Sequence, residues 1–553
     1  MTSNSETQAR EWLHQHQQWL NEARTHLGTR SFWSAFAETP SEKVHGAGSH
    51  EAGKRAFTSH LGRAFTLPEF TAQQEVGNEH SPYGLALDIR YPTGAPEELT
   101  TRAVKGGESL AALSPAARAG VALEILARLW ARKFELGYAV MHTTGQGFVM
   151  AFQAGVTHAL DRALEAIGYA VEELERTPQN IRWEKPRGKH EPLRIDKQYR
   201  AMPRGVGLVV ACATFPTWNG YPPIFANLVC GNAVIIKPHP AVILPLAITV
   251  EVMRETLADC GLNSDAVMLA ADSMEAPLAP ALAQDPCVKI IDFTGSSTFG
   301  NWLEQNAPQA RVFTEKSGVN CALVDALSEP TAMARNLALS LSLYSGQMCT
   351  SPQNIFIPRA HFAQTADALR TAMDELLGDE LRAAEILGAI QSPETIKRVE
   401  AAAALPDIIR HATVPAHPSF TEARMRSPLL VRLDSTQTDW HRREHFGPIA
   451  FLIETPDAAT GLQEMRGCFA SCGALTAAIW SDDEDLITRA TDLAAGAGVN
   501  SAVNLQGDTL VNFSAAFSDY HGTGSNAAGS ACLIDSAFIT PRFYIAQSRR
   551  PAP

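Results

Sequence analysis

From about residue 201 the chain alternates short, continuous apolar runs with amphipathic segments, and this pattern restricts the fold more than any other feature. Residues 206–211, 233–236, 266–270 and 288–293 are apolar runs too short for helices, whereas 244–257 and 274–283 carry helical spacing. A strand buried on both faces must be apolar at nearly every position, and parallel neighbours need a helical crossover. The alternation therefore predicts an α/β fold built on a parallel sheet. Ligands in such sheets sit beyond the C-terminal ends of the strands, so the segments after the runs are where function is sought. Upstream, residues 115–174 read as helices up to a polar break at 177–180, and residues 181–202 as a polar β-hairpin turning at Pro186-Arg187-Gly188.

Composition excludes several classes. With 553 residues, 45% hydrophobic and 19% charged, the chain has enough apolar content for two to four packed units and is not globally disordered. Its 46 Lys+Arg against 59 Asp+Glu leave a net charge of −13, the wrong sign for a primary nucleic-acid binder. The most apolar window, residues 121–141, is interrupted by Glu124, Arg128, Arg132, Lys133 and Glu135, so no membrane span is expected. The nine cysteines are odd in number, form no CxxC pair and are absent from the first two hundred residues. The N-terminus lacks the basic and apolar regions of a signal peptide. Free thiols in a reduced, cytoplasmic protein, with no metal site, are the expectation. Residues 7–26 have helical spacing. A near P-loop, Gly48-Ser49-His50-Glu51-Ala52-Gly53-Lys54, is followed by Arg55 in place of the Ser/Thr that would hold Mg²⁺, so a phosphate cradle is not expected there.

Three loops follow the apolar runs. They contain Thr214-Phe215-Pro216-Thr217-Trp218-Asn219, then Lys237-Pro238-His239-Pro240, then Phe293-Thr294-Gly295-Ser296. The last is a strand, a glycine turn and a helix start, the geometry in which backbone N–H groups and the helix dipole face a phosphate. Further on stand Glu315 in Phe313-Thr314-Glu315-Lys316-Ser317-Gly318, Cys349 in Gly346-Gln347-Met348-Cys349, and Glu444 in Glu444-His445-Phe446-Gly447-Pro448.

In this order, with Cys349 following Glu315 by 34 positions, the residues resemble the aldehyde dehydrogenase superfamily over about residue 90 to the C-terminus. The resemblance implies a Rossmann-type cofactor domain at 91–311, a catalytic domain at 312–510, and a C-terminal segment at 511–553 that returns to the cofactor domain. It also implies a small oligomerisation flap made from 181–202 and 539–546, and hence a homodimer or tetramer. Residues 1–90 form an unassigned extension. Cys349 would be the nucleophile and Glu315 the base that hydrolyses the resulting thioester, because a carbonyl must be converted to a tetrahedral oxyanion before it can expel hydride. Lys237, Thr294, Gly295, Ser296, Glu444 and Phe446 would hold a nicotinamide cofactor.

Three departures from the family pattern carry information. Pro240 stands where many NAD-preferring relatives place a glutamate, and with Lys237 and His239 nearby this favours NADP over NAD. Thr214 stands where the oxyanion-binding asparagine is expected, so the Thr214 hydroxyl, Asn219 or the Cys349 backbone N–H must serve. The Glu-x-x-x-x-Asn form of Glu315 to Asn320, the long N-terminal extension and the His-Gly-rich tail around His521 resemble the branch that oxidises ring-opened CoA-thioester semialdehydes of phenylacetate or benzoate degradation. By that resemblance His521 is a substrate-side residue. Two alternatives stay open at this point: a CoA-acylating aldehyde dehydrogenase, and an idle binding protein on the same fold.

Overall fold

The computed structural model describes residues 2–70, 74–316, 318–506, 513–517, 521–522, 524, 526–530 and 535–552. Ser317, Ser518, Asp519, Tyr520, Thr523, Ser525 and Cys532 lie outside the described residues. Five parallel strands form one sheet in the order Val267–Leu269, Ala233–Lys237, Val206–Val210, Val288–Gly295, Arg311–Lys316. Every residue of Val206–Val210 and Ala233–Lys237 is buried, as expected for strands covered on both faces. The crossovers are the helices Pro216–Cys230, Leu244–Asp259, Ala279–Gln284 and Ser297–Asn306. The order reverses at Val206–Val210, so the loops leaving it and its neighbours open into a crevice beyond the strand ends.

Residues 274–283 do not form the expected helix. Helix is confined to Ala279–Gln284, because the Asp272 carboxylate accepts the Leu278 N–H at 2.9 Å and Pro277 interrupts the run. Residues 115–174 are helical through Pro115–Ala131, Lys133–Thr144, Phe148–Phe152 and Ala159–Glu175, with one π-helical turn at Gln153–His158.

A second sheet has seven strands, in the order Ile408–Arg410, Leu429–Asp434, Ile449–Thr455, Asn354–Pro358, Cys321–Val324, Thr476–Trp480, Asn500–Val503. All neighbours are parallel except the first pair. Cys349 lies in the loop that enters the central strand Asn354–Pro358. A third, antiparallel sheet places His190–Pro203 between Asn180–Arg187 and Phe543–Pro551. Its C-terminal strand starts later than the 539–546 reading. Ser536–Ile539 is helical and Pro541 sits in a 3-10 turn, so pairing begins at Phe543 opposite Pro203.

The front of the chain shares the main core. Helices Thr2–Gln15 and Gln17–Thr29 pack on Pro115–Ala131 and Ala159–Glu175, burying Ala9, Trp12, Leu20 and Ala23 with Leu123 and Leu164. The near P-loop is the start of helix Ser49–Thr58, and a Cβ on its Gly53 would come within 2.2 Å of the Phe134 Cβ. That glycine serves close helix packing. Among the described residues no single helix is long and apolar enough to cross a membrane.

Candidate active site

Cys349 is presented by a strained turn. Tyr344 and Ser345 have φ of 51° and 49°, left-handed values that non-glycine residues hold only when the surroundings impose them, and Gly346 follows at 62°. The surroundings are visible. The Tyr344 hydroxyl donates to the Thr144 carbonyl at 2.5 Å, and the Ser345 hydroxyl to the Arg426 carbonyl at 2.8 Å. The Gln347 amide donates to the carbonyls of Tyr344 and Ala389 and accepts the Gln391 N–H. Beyond the cysteine, the Asn320 amide donates to the carbonyls of Cys349 at 2.6 Å and Ser351 at 3.0 Å. Its oxygen accepts the N–H groups of Leu475 and Thr476. Asn320 thus ties the Cys349 loop to the start of strand Thr476–Trp480.

Glu315, near the end of strand Arg311–Lys316, is 1% exposed and far from a solvated strand-end glutamate. Its Oε2 lies 2.6 Å from His521 Nδ1, and its Oε1 accepts the Asn219 amide at 3.2 Å. His521 Nε2 in turn lies 3.4 Å from Cys349 Sγ. The chain end reaches this point because residues 526–530 pair along Arg311–Lys316: Lys316 donates its N–H to the Ala528 carbonyl at 2.6 Å and Ser530 to the Thr314 carbonyl at 2.9 Å. Trp218 meets the His521 ring edge-on at 5.3 Å, with the Arg162 guanidinium stacked over the indole at 3.9 Å. Burial and the neighbouring Glu315 carboxylate push the Cys349 thiol well above its ordinary value, with Cys212 and Glu444 adding in the same direction.

Two cavities meet at Cys349 and Asn219. One, of about 440 Å³, is walled by Phe215, Trp218, Met348, Val503, Phe513 and Phe517, with His521 on its rim; no Lys or Arg is among its described lining residues. The other, of about 710 Å³, is the crevice at the strand ends. Of the two oxyanion candidates that are side chains, Asn219 stands where both cavities meet and its amide faces the cluster. Thr214 lines only the larger cavity.

The larger cavity gathers every residue assigned to cofactor binding: Lys237, His239, Thr294, Gly295, Ser296, Glu444 and Phe446. Its fit to a dinucleotide rests on a buried ion pair at its far end and a strand, glycine and helix start at its floor. The pair is Lys237 Nζ to Asp272 Oδ1 at 2.7 Å. Burial lowers the Lys237 ammonium, with Asp272 opposing the shift. The Ser296 hydroxyl caps helix Ser297–Asn306 by accepting the Phe299 N–H. His239 is held near 4 by burial and by Lys237, and accepts the Ala241 N–H on Nδ1. It is neutral at pH 7 and offers no positive charge to a phosphate.

Asp272 and Arg398 escaped the reading from sequence. Asp272 follows a different strand from the Lys237 loop in which a ribose carboxylate was sought. Arg398, which donates to the Phe446 carbonyl at 3.1 Å, comes from a helix with no motif around it. His521 was singled out by its glycine-rich setting, but its bridging position depends on long-range pairing.

The sequence model described as "Aldehyde dehydrogenase family" matches residues 95–515. Curated relatives include the aldehyde dehydrogenase family 7 member B4 of Arabidopsis thaliana, 26% identical over 36% of this chain and 39% of its own. Another is the N-succinylglutamate 5-semialdehyde dehydrogenase of Pseudomonas fluorescens, 27% identical over 52% and 58%. The matches to the first curated relatives span only about two-fifths to three-fifths of their length. A solved structure described as NAD-dependent aldehyde dehydrogenase from Burkholderia multivorans is 46% identical, covers 98% of this chain and 99% of its own, and superposes with a TM-score of 0.95. A 1-pyrroline-5-carboxylate dehydrogenase structure, at 17% identity and a TM-score of 0.76 over 94% and 99%, shares the fold. The chain belongs to the aldehyde dehydrogenase family.

Proposed function

We propose that the protein oxidises an aldehyde to the carboxylic acid through a thioester on Cys349. The observation that carries this reading is the meeting of a cofactor-sized crevice and an apolar cavity at one thiol, with a buried carboxylate beside it. The bound nicotinamide supplies the hydride acceptor. Lys237, Asp272, Glu444, Phe446 and the turn Thr294-Gly295-Ser296 would hold it. Cys349 adds to the carbonyl, Asn219 donates to the developing oxyanion, and Glu315 takes the proton of the water that hydrolyses the thioester. Each carboxylate oxygen has a second lone pair, so the bonds from Asn219 and His521 leave Glu315 able to accept.

For the cofactor we favour NAD. Pro240 alone points to NADP, but Asp272, paired with Lys237, would supply a carboxylate at the ribose end: it could accept ribose hydroxyls, it neutralises Lys237 and it would repel a 2′-phosphate. For the substrate we favour a ring-opened semialdehyde from aromatic degradation, carried as a CoA thioester. The resemblance of the whole chain to that branch supports it, and the apolar cavity suits the acyl end. The CoA phosphates would lie outside the cavity, which has no cation among its described lining residues. The antiparallel sheet has Asn180–Arg187 and Phe543–Pro551 as edge strands and exposes Leu193, Tyr544 and Ile545, which supports assembly of a dimer or tetramer through it.

The test is absorbance of the reduced nicotinamide with NAD or NADP and a panel of aldehydes, with and without free CoA, for wild type and Cys349→Ala. CoA-independent turnover that vanishes in Cys349→Ala is expected. Turnover that survives in the variant defeats the reading, and a strict need for CoA would reassign the protein to the acylating class.

A further inference from the structure

We propose that His521 is the proton acceptor of the first step, so that Cys349, His521 and Glu315 form a relay in which the carboxylate holds the imidazole and the imidazole ionises the thiol. The proposal rests on the reading of Cys349 as the nucleophile.

The geometry fixes the direction of transfer. A carboxylate can only accept, so the 2.6 Å contact to Glu315 Oε2 places the imidazole hydrogen on Nδ1 and leaves the Nε2 lone pair facing the thiol at 3.4 Å. His521 is 5% exposed, its ring held edge-on by Trp218, and its rotation would break the Glu315 contact. The thiol cannot readily ionise alone. The groups facing it are Glu315, Cys212 and Glu444, and each disfavours a thiolate. Moving the proton to His521 removes that obstacle: it changes no net charge within the set Cys349, His521 and Glu315, and the new imidazolium lies between the thiolate and the carboxylate. No net charge is created in a poorly solvated place.

The steps balance. The S–H bond breaks, its proton passes to Nε2, and sulfur bonds to the carbonyl carbon while the carbonyl π pair moves onto oxygen. A bound nicotinamide would accept the hydride as the C=O bond re-forms, leaving a thioester. Water then adds, its proton passing to Glu315. The C–S bond breaks, the imidazolium returns its proton to the departing thiolate, and Glu315 releases its proton to solvent. Aldehyde, water and oxidised nicotinamide give acid, reduced nicotinamide and one proton.

The test reads the thiol directly. Full-length protein is alkylated with iodoacetamide from pH 6 to pH 9, and modification of the peptides containing Cys349 and the exposed Cys287 is followed by mass spectrometry. In wild type the Cys349 rate should change much less than the roughly tenfold per pH unit of a thiol that must first ionise to solvent. In His521→Gln the rate at pH 7 should fall at least tenfold and adopt that steep slope, with Cys287 unchanged. A wild-type rate that already follows the steep slope overturns the proposal without any variant. So does an unchanged rate and slope in His521→Gln, or in His521→Asn should the first variant misfold. If these profiles hold but Cys349→Ala still turns over aldehyde, it is the parent reading that fails; the reverse pattern sinks the relay alone.

Discussion

Replacing Asn320 by alanine should unseat Cys349 without removing any side chain assigned to the chemistry. The side chain is 3% exposed and makes four hydrogen bonds, donating to the carbonyls of Cys349 and Ser351 and accepting the N–H groups of Leu475 and Thr476. At a net value of about 1 kcal/mol per buried hydrogen bond, the loss is about 4 kcal/mol, less where water fills the gap. That is a large part of the ~5–15 kcal/mol that keeps a domain folded, so the variant should melt several degrees below wild type. The catalytic effect should exceed the effect on binding. With the Cys349 carbonyl released, the sulfur is no longer held against His521, and a displacement of about 1 Å in a reacting group costs about 10²-fold in rate. The assay is a thermal melt together with kcat and KM for the aldehyde. Asn320→Asp, which keeps both acceptor contacts but loses both donors, should recover part of the melting temperature and little of kcat. A variant Asn320→Ala with wild-type melting temperature and kcat would refute the reasoning that this amide positions the loop.

Glu315→Gln should give a burst of about one equivalent of reduced nicotinamide per site, followed by turnover slowed about 10²-fold or more; unchanged steady-state turnover would remove Glu315 from hydrolysis. Asp272→Asn, which frees Lys237, should shift the ratio of kcat/KM for NADP to NAD at least tenfold towards NADP, and a constant ratio would show that Asp272 does not face the ribose. Deleting residues 543–553 removes an edge strand, and sedimentation should then show monomer or aggregate rather than the intact oligomer. Burial holds His142 and His445 near 4 in the folded protein, helped by Lys54 and Arg443 respectively, below the ~6.5 of an unfolded chain. As pH falls from about 6.5 to 4 the unfolded state binds protons that the folded state refuses. Stability is therefore full above this window and declines through it, by up to about 3 kcal/mol per histidine. A melting temperature constant from pH 7 to pH 5 would contradict this.

The strands of the parallel sheet were legible because burial on both faces leaves only one kind of residue, and 206–211 or 233–236 therefore differ from the observed strands by a residue at one end. Where local pattern competed with a specific hydrogen bond, the bond prevailed: Asp272 captures the Leu278 N–H and shortens the helix expected from 274. The same residue explains why the cofactor reading was incomplete. Pro240 leaves one loop without a carboxylate, whereas Asp272, which pairs with Lys237, comes from the end of another strand, and no spacing links the two. His521 is the extreme case. Nothing near it in sequence names a partner 172 positions from Cys349 and 206 from Glu315; only the pairing of residues 526–530 with Arg311–Lys316 makes it a neighbour of both.

The arrangement also bears on what becomes of the thioester. An acylating enzyme must bring a second thiol to the acyl carbon and has no use for a base poised for water. Here the acyl carbon would sit beside Glu315, and Asn219 is pledged to it on one oxygen, so the carboxylate is oriented before any substrate arrives. On this reading the aldehyde would enter from the apolar cavity and its chain would fill that cavity as long as the thioester lasts, barring the route by which it came. Water must then come through the crevice at the strand ends, whose lining includes Glu315, Cys349 and Asn219 together. Hydrolysis would then have to wait until a reduced nicotinamide no longer fills that crevice. Pre-steady-state traces on wild type should therefore show hydrolysis slowing as reduced nicotinamide is added at saturating concentration. Acid release that is indifferent to it would mean that water reaches the thioester by the substrate's own path.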